Sequence, residues 1–246
     1  MRLGIFGGSF NPVHVGHLRI AIEVREALGL DRVDMVPVAS PPHKEAGDLL
    51  PFWLRCLIIK AAVRQAPGLA LNDLEALLPE PSYTHRTLSA YRDILPEAEL
   101  FFILGASDLL LLDLWHRGRE LHMLANLVVV PRFGKDLQAV AEFVPQFWPE
   151  AERLSACAHF VQRDDRQACW RLPGGNLLQY VHAPGLDVSA TDIRLRFLDG
   201  RSIVFLVPSE VRQVLQERHE EVRRIWSVQS EVKYKSHREE DGGTES

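Results

Sequence analysis

The chain has little cysteine, no long apolar run and no excess of positive charge. Cysteine occurs three times among 246 residues, at Cys56, Cys157 and Cys169. No two of these form a CxxC pair, which argues against a disulfide framework and a zinc site and favours a reducing cytoplasm. The most apolar run, Leu109–Leu112, lies between Asp108 and Asp113. It is far too short to span a membrane, so we expect no membrane association.

The charge balance is acidic, with 28 Lys and Arg against 33 Asp and Glu and a net charge of −5. Domains that bind a nucleic-acid backbone are usually basic, so we expect no nucleic-acid partner. A small nucleotide needs only a few well-placed cations and stays compatible with this balance. Met1 leads straight into a strand-like segment, so we also expect no signal peptide.

Short apolar runs ending at glycine or proline alternate with segments of helical period. The predicted strands are Arg2–Phe6, Val33–Val38, Leu69–Asn72, Leu100–Leu104 and Leu127–Val130. The predicted helices are Leu18–Leu28, Phe52–Gln65, Thr84–Leu95, Ser189–Leu198 and Pro208–Trp226. This alternation predicts an α/β domain with a parallel sheet and right-handed crossovers. Ligands of such sheets bind beyond the carboxyl ends of the strands.

Two parts of the chain do not show this alternation of strands and helices. Residues 135–180 are irregular and rich in proline and glycine, and the sequence does not place their elements. From Ser227 onward the chain is polar, and this composition predicts disorder. We therefore expect one domain over residues 1–226 and a disordered tail over 227–246.

A first cluster of candidate site residues follows the first predicted strand. Gly7, Gly8, Ser9 and Phe10 lead through Pro12 to two histidines that are three residues apart, His14 and His17. Glycines after a strand let backbone N–H groups approach a phosphate closely. Two histidines at this spacing share one face of a helix start, where the helix dipole is positive. The segment therefore predicts an anion site, and it matches neither GxGxxG nor GxxxxGK[ST].

A second cluster opens the helix predicted to begin at Ser189. Ser189 and Asp192 have capping-box spacing, and Thr191 lies between them. Arg194 lies one turn into the helix, where its guanidinium could fork onto phosphate oxygens. On its own this segment is more typical of an ordinary capped helix, and only its pairing with the first cluster favours a phosphate site.

The two clusters resemble the two signatures of the HIGH-type nucleotidylyltransferases, as GxFxPxHxGH and SxTxIR. Further segments resemble bacterial nicotinate mononucleotide adenylyltransferases within that superfamily. They are PPHK at 41–44, SYTxxTL at 82–88, FILGASD at 102–108, Trp115, Pro131-Arg132 and LVP at 206–208. The resemblance implies a single Rossmann-like domain with a doubly wound parallel sheet. Three positions depart from the family pattern, namely Arg86, Phe133 and Ala190.

The resemblance also implies a reaction, in which ATP and nicotinate mononucleotide give nicotinate adenine dinucleotide and pyrophosphate. His14, His17, Lys44 and Arg194 would act as the cations of the chemistry. The ATP-binding residues would be Gly7, Gly8, Ser9, Phe10, Gly105, Asp108, Arg132, Ser189 and Thr191. Thr84 and Trp115 would hold the pyridine nucleotide. Mg²⁺ is implied as a cofactor bound mainly through the ATP phosphates, without protein ligands of its own.

Three alternatives stay open. The first is a sibling transferase whose acceptor is nicotinamide mononucleotide or phosphopantetheine. The second is a non-catalytic nucleotide-binding module, which the four candidate cations disfavour. The third is a relative of aminoacyl-tRNA synthetases, which the lack of a KMSKS-like segment and the acidic charge disfavour. The sequence does not say whether the chain forms a homo-oligomer.

Overall fold

The computed structural model of the protein describes residues 1–42, 47–132, 134, 136–161 and 164–228. Its strands form one sheet in the order β3-β2-β1-β4-β5-β8-β7-β6. The strands are β1 Arg2–Gly8, β2 Arg32–Pro37, β3 Leu69–Leu71, β4 Glu99–Gly105, β5 Asn126–Val130, β6 Glu152–Leu154, β7 Ala168–Arg171 and β8 Leu177–Tyr180. Pairing is parallel from β3 to β8 and antiparallel from β8 through β7 to β6. The predicted parallel α/β sheet is confirmed.

Helices cover both faces of the sheet. They are α1 Val15–Leu28, α2 Phe52–Ala62, α3 Thr84–Ile94, α4 Ala106–Leu109, α5 Leu121–Leu124, α6 Leu137–Phe147, α7 Ala190–Leu198 and α8 Ser209–Glu217. Helices α1, α2, α7 and α8 pack on one face, and α3 to α6 on the other. Because β1 and β4 are neighbours while the helices after them lie on opposite faces, the sheet is doubly wound.

Alternation along the central strands builds two separate cores. In β4, Phe101 and Ile103 face one core, whereas Leu100, Phe102 and Leu104 face the other. Residues of a strand point alternately to its two faces, so a buried central strand is apolar throughout. The continuous apolar runs in the sequence are therefore the strands that carry helices on both sides.

The structure corrects two predicted helices. The segment Phe52–Gln65 is an α-helix only as far as Ala62 and ends in a 3₁₀ turn, Val63–Gln65. The segment predicted as one helix over Pro208–Trp226 breaks at Arg218, whose backbone (φ −111°, ψ 23°) leaves the helical region. The chain is helical again over residues 219–228. The two helical segments each bury apolar residues along one side, so the spacing of apolar residues over both resembles that of a single helix.

The segment that the sequence left unplaced extends the sheet. Helix α6 is capped by Asp136, the residue before it, whose side chain accepts hydrogen bonds from the backbone N–H groups of Gln138 and Ala139. Strands β6 and β7 then add an antiparallel edge next to β8. Pro145 lies within α6, and proline there obscured the helical pattern.

Backbone helix continues to residue 228, two residues beyond the expected domain boundary. The rest of the tail, residues 229–246, lies outside the described residues, so the two-part division stays a prediction. In the part of the chain that the structure describes, every helix is too short or too polar to cross a bilayer.

Candidate active site

The candidate site lies where the winding of the sheet reverses. Gly7 and Gly8 end β1, and Gly105 ends the neighbouring strand β4. Crossovers leave these two strands toward opposite faces, which opens a crevice between their carboxyl ends. A cavity of about 240 Å³ occupies this place.

Seven of the predicted site residues line this cavity. They are Gly7, Gly8, Ser9, Thr84, Asp108, Trp115 and Arg132. The indole of Trp115 is half-buried and meets the ring of Phe102 edge-on, with 6.5 Å between ring centroids. Thr84 is the first residue of α3. The cavity wall thus combines residues from the ends of β1 and β4 and the start of α3.

The two histidines form one stacked unit at the start of α1. His14 is the residue before the helix, and its ring stacks on that of His17 with 3.7 Å between centroids. The backbone N–H of His14 donates to Nδ1 of His17 at 3.3 Å. Nδ1 of His17 is therefore an acceptor, so the proton of its neutral ring lies on Nε2. The expected shared face is confirmed, and the hydrogen bond fixes the tautomer.

Phe10 packs against this histidine pair. Its ring is buried and meets the ring of His17 edge-on at 5.0 Å. The backbone of Phe10 has φ 44°, in the left-handed region that residues with side chains rarely adopt. A Cβ atom at Gly8 would lie 3.1 Å from the Phe10 ring, so glycine there leaves room for it. Backbone strain of this type concentrates at functional sites.

Both histidines are neutral in the ligand-free protein. Burial, and next the positive charge of Arg132, lower the pKa of His14 from 6.5 to about 4. Burial, followed by the charges of His14 and Arg132, holds the pKa of His17 well below its usual value. In the ligand-free site the low pKa values favour neutral rings, and the predicted contacts of both histidines with phosphate stay predictions. Within the described residues, Nδ1 of His14 is buried without a hydrogen-bond partner.

Arg132 enters the site beside the end of β4. Its guanidinium lies 3.7 Å from the carboxylate of Asp108. A Cβ atom at Gly105 would come within 2.6 Å of Cδ of Arg132, so glycine allows the arginine side chain to cross the strand end. Burial raises the pKa of Asp108, and the charge of Arg132 opposes that shift. The two predicted ATP-binding side chains therefore form a pair.

The second predicted cluster reaches the first through Arg194. Ser189 caps α7, because its hydroxyl accepts from the N–H of Asp192 at 3.0 Å. Arg194 donates from Nη1 to the carbonyl oxygen of Asn11 at 2.9 Å and from Nη2 to the hydroxyl of Thr191 at 3.2 Å. A side chain 183 residues away in sequence thus contacts the loop between Phe10 and His14.

Asp48 is a charged partner that the sequence analysis missed. Its carboxylate lies 2.8 Å from Nη2 of Arg194, and both side chains are largely buried. Buried ion pairs of this kind fix the orientation of an arginine fork. Asp48 follows Lys44 by four residues, but Lys44 lies outside the described residues. No local pattern distinguishes Asp48 from an ordinary loop carboxylate.

Asn11 and Glu75 were also missed. The side chain of Asn11 donates to the carbonyl of Asp48 and accepts from the N–H of Leu50 and from the indole N–H of Trp226. Asn11 thereby joins the loop after Lys44 to the last helix. Glu75 lines the cavity and accepts from the N–H of Ala39 and the hydroxyl of Thr87. Asn11 lies within the first motif, which was the available signal.

The described residues contain no cluster of three His, Cys, Asp or Glu side chains that could hold a metal ion. Two carboxylates of the site, Asp48 and Asp108, each form an ion pair with an arginine. These carboxylates are already compensated by cations, so the donor set suits a metal that arrives on the phosphates of a nucleotide.

A fold and a site of this form define a nucleotidylyltransferase-like protein. The cytidylyltransferase-like family model matches residues 5–196. Among similar proteins, the probable nicotinate-nucleotide adenylyltransferase of Trichlorobacter lovleyi is 38% identical over 218 residues, which is 89% of this chain and 98% of that protein. The probable nicotinate-nucleotide adenylyltransferase of Pelobacter propionicus is 35% identical over 217 residues, covering 88% of this chain and 96% of the relative. The chain belongs to the family of nicotinate-nucleotide adenylyltransferases.

Solved structures share the fold. The nicotinic acid mononucleotide adenylyltransferase of Plasmodium falciparum, complexed with NaAD, aligns with a TM-score of 0.64 at 15% identity. The alignment covers 88% of this chain and 95% of that one. The same enzyme complexed with APC aligns with a TM-score of 0.63. The predicted Rossmann-like doubly wound fold is confirmed.

Acid should destabilise the protein through His14. The unfolded histidine binds a proton near pH 6.5 and the folded one only near pH 4. Above pH 6.5 the ring is neutral in both states, so His14 does not lower the free energy of unfolding there. As pH falls from 6.5 toward 4, the unfolded ring binds a proton that the folded ring does not, and the free energy of unfolding falls by on the order of 3 kcal/mol. We expect His14→Gln to unfold with a shallower loss of stability between these pH values, as measured by urea titration. His219→Gln, at an exposed histidine, should leave the slope as in wild type, and an unchanged slope for His14→Gln would contradict the assignment.

Proposed function

We propose that this chain transfers AMP from ATP to nicotinate mononucleotide, releasing pyrophosphate, at the crevice between β1 and β4. The observation that carries the proposal is the convergence of the stacked histidine pair and Arg194 on one loop, residues 10–14. The 5′-phosphate of the acceptor attacks the α-phosphorus of ATP in line, and pyrophosphate leaves on the opposite side. An acceptor phosphate is already ionised at neutral pH, so the site needs no strong base.

His17 contributes a neutral hydrogen-bond donor. Its Nδ1 is occupied by the N–H of His14, so Nε2–H is the group that can reach an α-phosphoryl oxygen. The ring is held by His14 on one side and Phe10 on the other, so little reorganisation accompanies the reaction. Preorganised donors of this type stabilise charge that develops in the transition state.

The charged residues position the leaving group. Arg194 and the start of α7 would hold the β and γ phosphates, because the first N–H groups of a helix point toward anions. Arg132 and Asp108 would bind the adenosine side, and Lys44 would add a cation from its loop. Mg²⁺ bound to the phosphates would neutralise part of their charge. Catalysis then consists mainly of positioning and electrostatic stabilisation.

The pyridine nucleotide would occupy the cavity beside Trp115 and Thr84. An aromatic face and a helix start suit a flat ring that bears a carboxylate. Glu75 contacts backbone and hydroxyl donors of the same wall and shapes that cavity without adding a free donor. We further infer that the enzyme acts in the cytoplasm on small nucleotides and that nucleic acid is not a partner.

Trp115→Ala should weaken the pyridine nucleotide specifically. Losing one stacking face costs about 1 kcal/mol or somewhat more, so we expect the KM for nicotinate mononucleotide to rise roughly tenfold. The KM for ATP should stay unchanged. Steady-state kinetics with each substrate varied in turn separate the two constants. Trp53→Ala, at an exposed tryptophan on α2, is the matched control, and an equal rise in both KM values for Trp115→Ala would contradict the placement.

The acceptor is tested by pyrophosphate release with ATP and Mg²⁺. Nicotinate mononucleotide, nicotinamide mononucleotide and phosphopantetheine are compared at equal concentration. We expect the highest kcat/KM with the nicotinate form. Turnover with phosphopantetheine alone would replace the acceptor while keeping the reaction class, and no turnover with any of the three would overturn the proposed activity.

A further inference from the structure

A second group of reactive side chains lies outside the candidate active site, between the 155–161 segment and strands β7 and β8. Cys157 is half-buried, whereas Cys169, in β7, is almost fully buried. The amide of Gln179 donates to Sγ of Cys157 at 3.7 Å. Cys169 is the direct partner of Gln179 across the antiparallel β7–β8 ladder.

The ladder places Cys169 opposite Gln179, whose amide contacts Cys157. Residues directly opposite each other in an antiparallel pair have Cβ atoms about 5 Å apart on one face of the sheet. Cys169 and Gln179 therefore share a face of the sheet. Residues 155–161 cover this face and are called the covering segment below, and Cys157 within them contacts the amide of Gln179. The mutual interaction of the two thiols lowers the pKa of Cys157 and raises that of Cys169.

A hydrogen-bonded chain continues from this amide to the surface. Gln179 Nε2 lies 2.7 Å from Nδ1 of His159, and Nε2 of His159 lies 3.0 Å from the carboxylate of Glu99. His159 thus accepts from Gln179 and donates to Glu99, which orients the amide toward Cys157. Oε1 of Gln179 is buried without a partner among the described residues.

We propose that Cys157 and Cys169 form a thiol pair that hydrogen peroxide oxidises to an intramolecular disulfide. The Cys157 thiolate attacks one peroxide oxygen and breaks the O–O bond, giving a sulfenic acid and hydroxide, which takes up a proton to form water. Sulfur of Cys169 then loses its proton and attacks sulfur of Cys157, and the sulfenic oxygen leaves as a second water. Two thiols lose two electrons in total, and one peroxide gains them.

The environment assigns the two cysteines different parts. Hydrogen bonds from Cys169 and other donors, including the amide of Gln179, lower the pKa of Cys157 to about 6 against the opposing effect of burial. The pKa of Cys169 is raised, first by its hydrogen bond with Cys157 and then by burial. A half-buried thiolate beside a buried protonated thiol is the arrangement of an attacking and a resolving cysteine. Burial raises the pKa of the third cysteine, Cys56, which lies on α2.

The pair lies away from the candidate active site. Cys169 is in register with Gln179 of β8, which is in register with Val128 of β5 and, through it, with Ile103 of β4. Strands β8 and β5 therefore lie between Cys169 and β4, and three strand spacings separate them by about 14 Å. Closing the disulfide would tie the covering segment to β7, and that segment already donates from the N–H of Val161 to the last turn of α1. Oxidation therefore adds a cross-link within the fold without consuming a residue of the proposed chemistry.

The test treats the full chain with stoichiometric hydrogen peroxide at pH 7 and follows intact mass and peptide maps without reductant. We expect a loss of the mass of two hydrogen atoms, a peptide linked through Cys157 and Cys169, and reversal by dithiothreitol. Cys157→Ser should slow peroxide consumption by at least about tenfold. Cys169→Ser should stop at a sulfenic acid that a 1,3-dione probe captures, and Cys56→Ser should behave as wild type.

Three results would overturn the proposal. They are a faster reaction at Cys56 than at Cys157, a sulfinic acid at Cys157 with Cys169 still reduced, and a disulfide between two chains. The adenylyl-transfer rate of the oxidised chain is measured beside the mass, and we expect it to be unchanged. Because the mass readout needs no activity, failure of this proposal and failure of the proposed function are separable.

Discussion

His17→Ala should lower kcat/KM for ATP by about 10²–10³, because a preorganised donor to the reacting phosphate is lost. The ring of His17 is fixed by His14 and Phe10, so its Nε2–H is available without rearrangement. His17→Gln retains an N–H donor at a similar reach, and we expect it to recover about tenfold of that loss. Steady-state pyrophosphate release measures all three proteins.

The comparison between the alanine and glutamine variants separates chemistry from folding. Thermal unfolding of both variants is measured beside kcat/KM, because the His17 ring packs on His14 and Phe10 and its removal could also lower stability. His219→Ala removes a histidine far along the chain and should leave kcat/KM unchanged. If His17→Gln were as inactive as His17→Ala, while both fold normally, the neutral-donor role would be wrong.

Arg194→Ala should also lower kcat/KM for ATP by about 10²–10³, for two reasons that combine. The variant loses the cation that we assign to the β and γ phosphates. It also leaves the buried carboxylate of Asp48 unpaired beside the place where the triphosphate would bind. Removing one partner of a buried pair costs more than the pair is worth, because the remaining charge is uncompensated.

A double-mutant cycle tests that second reason. Asp48→Ala with Arg194→Ala removes both charges, and we expect it to recover about tenfold of the activity lost in Arg194→Ala alone. Arg196→Ala is the matched control on the same helix, where Arg196 pairs with Asp192 at the surface. Additive losses in the double variant would contradict the coupling, and an effect of Arg196→Ala equal to that of Arg194→Ala would contradict the site.

The central sheet was predictable from sequence because its signals are local. In the sequence, the buried strands β1, β4 and β5 are continuous apolar runs, and glycine or proline ends each run. Helix α1 ends at Leu28, as predicted, since Gly29 after it adopts φ 57° in the left-handed region. The region between β5 and α7 was not predictable, because Pro145 and the short strands β6 and β7 carry weak local patterns.

The site was predictable only where its residues stand in motifs. The histidine pair and Arg194 were found from their segments, and the structure brings them to one loop. The ion pair of Asp48 with Arg194 was not, since it joins residues that no local spacing connects. The neutral state of His14 was missed for a related reason, because it depends on burial and on Arg132, which the sequence does not place nearby.

The break at Arg218 is a helix boundary that the sequence likewise did not predict. The stripes that bury Leu215 and Trp226 together imitate one helical period, although the two helices are separate. The break places Trp226 so that its indole N–H reaches Asn11. Long-range contacts of this kind decide where a helix ends, and they appear only in three dimensions.

The most direct test of the account is a crystal structure with nicotinate mononucleotide and an ATP analogue that has a methylene bridge between its α and β phosphorus atoms. We expect an α-phosphoryl oxygen about 3 Å from Nε2 of His17, with the β or γ phosphate on the guanidinium of Arg194. We also expect the pyridine ring against Trp115. A triphosphate that contacts neither His17 nor Arg194 would contradict the account.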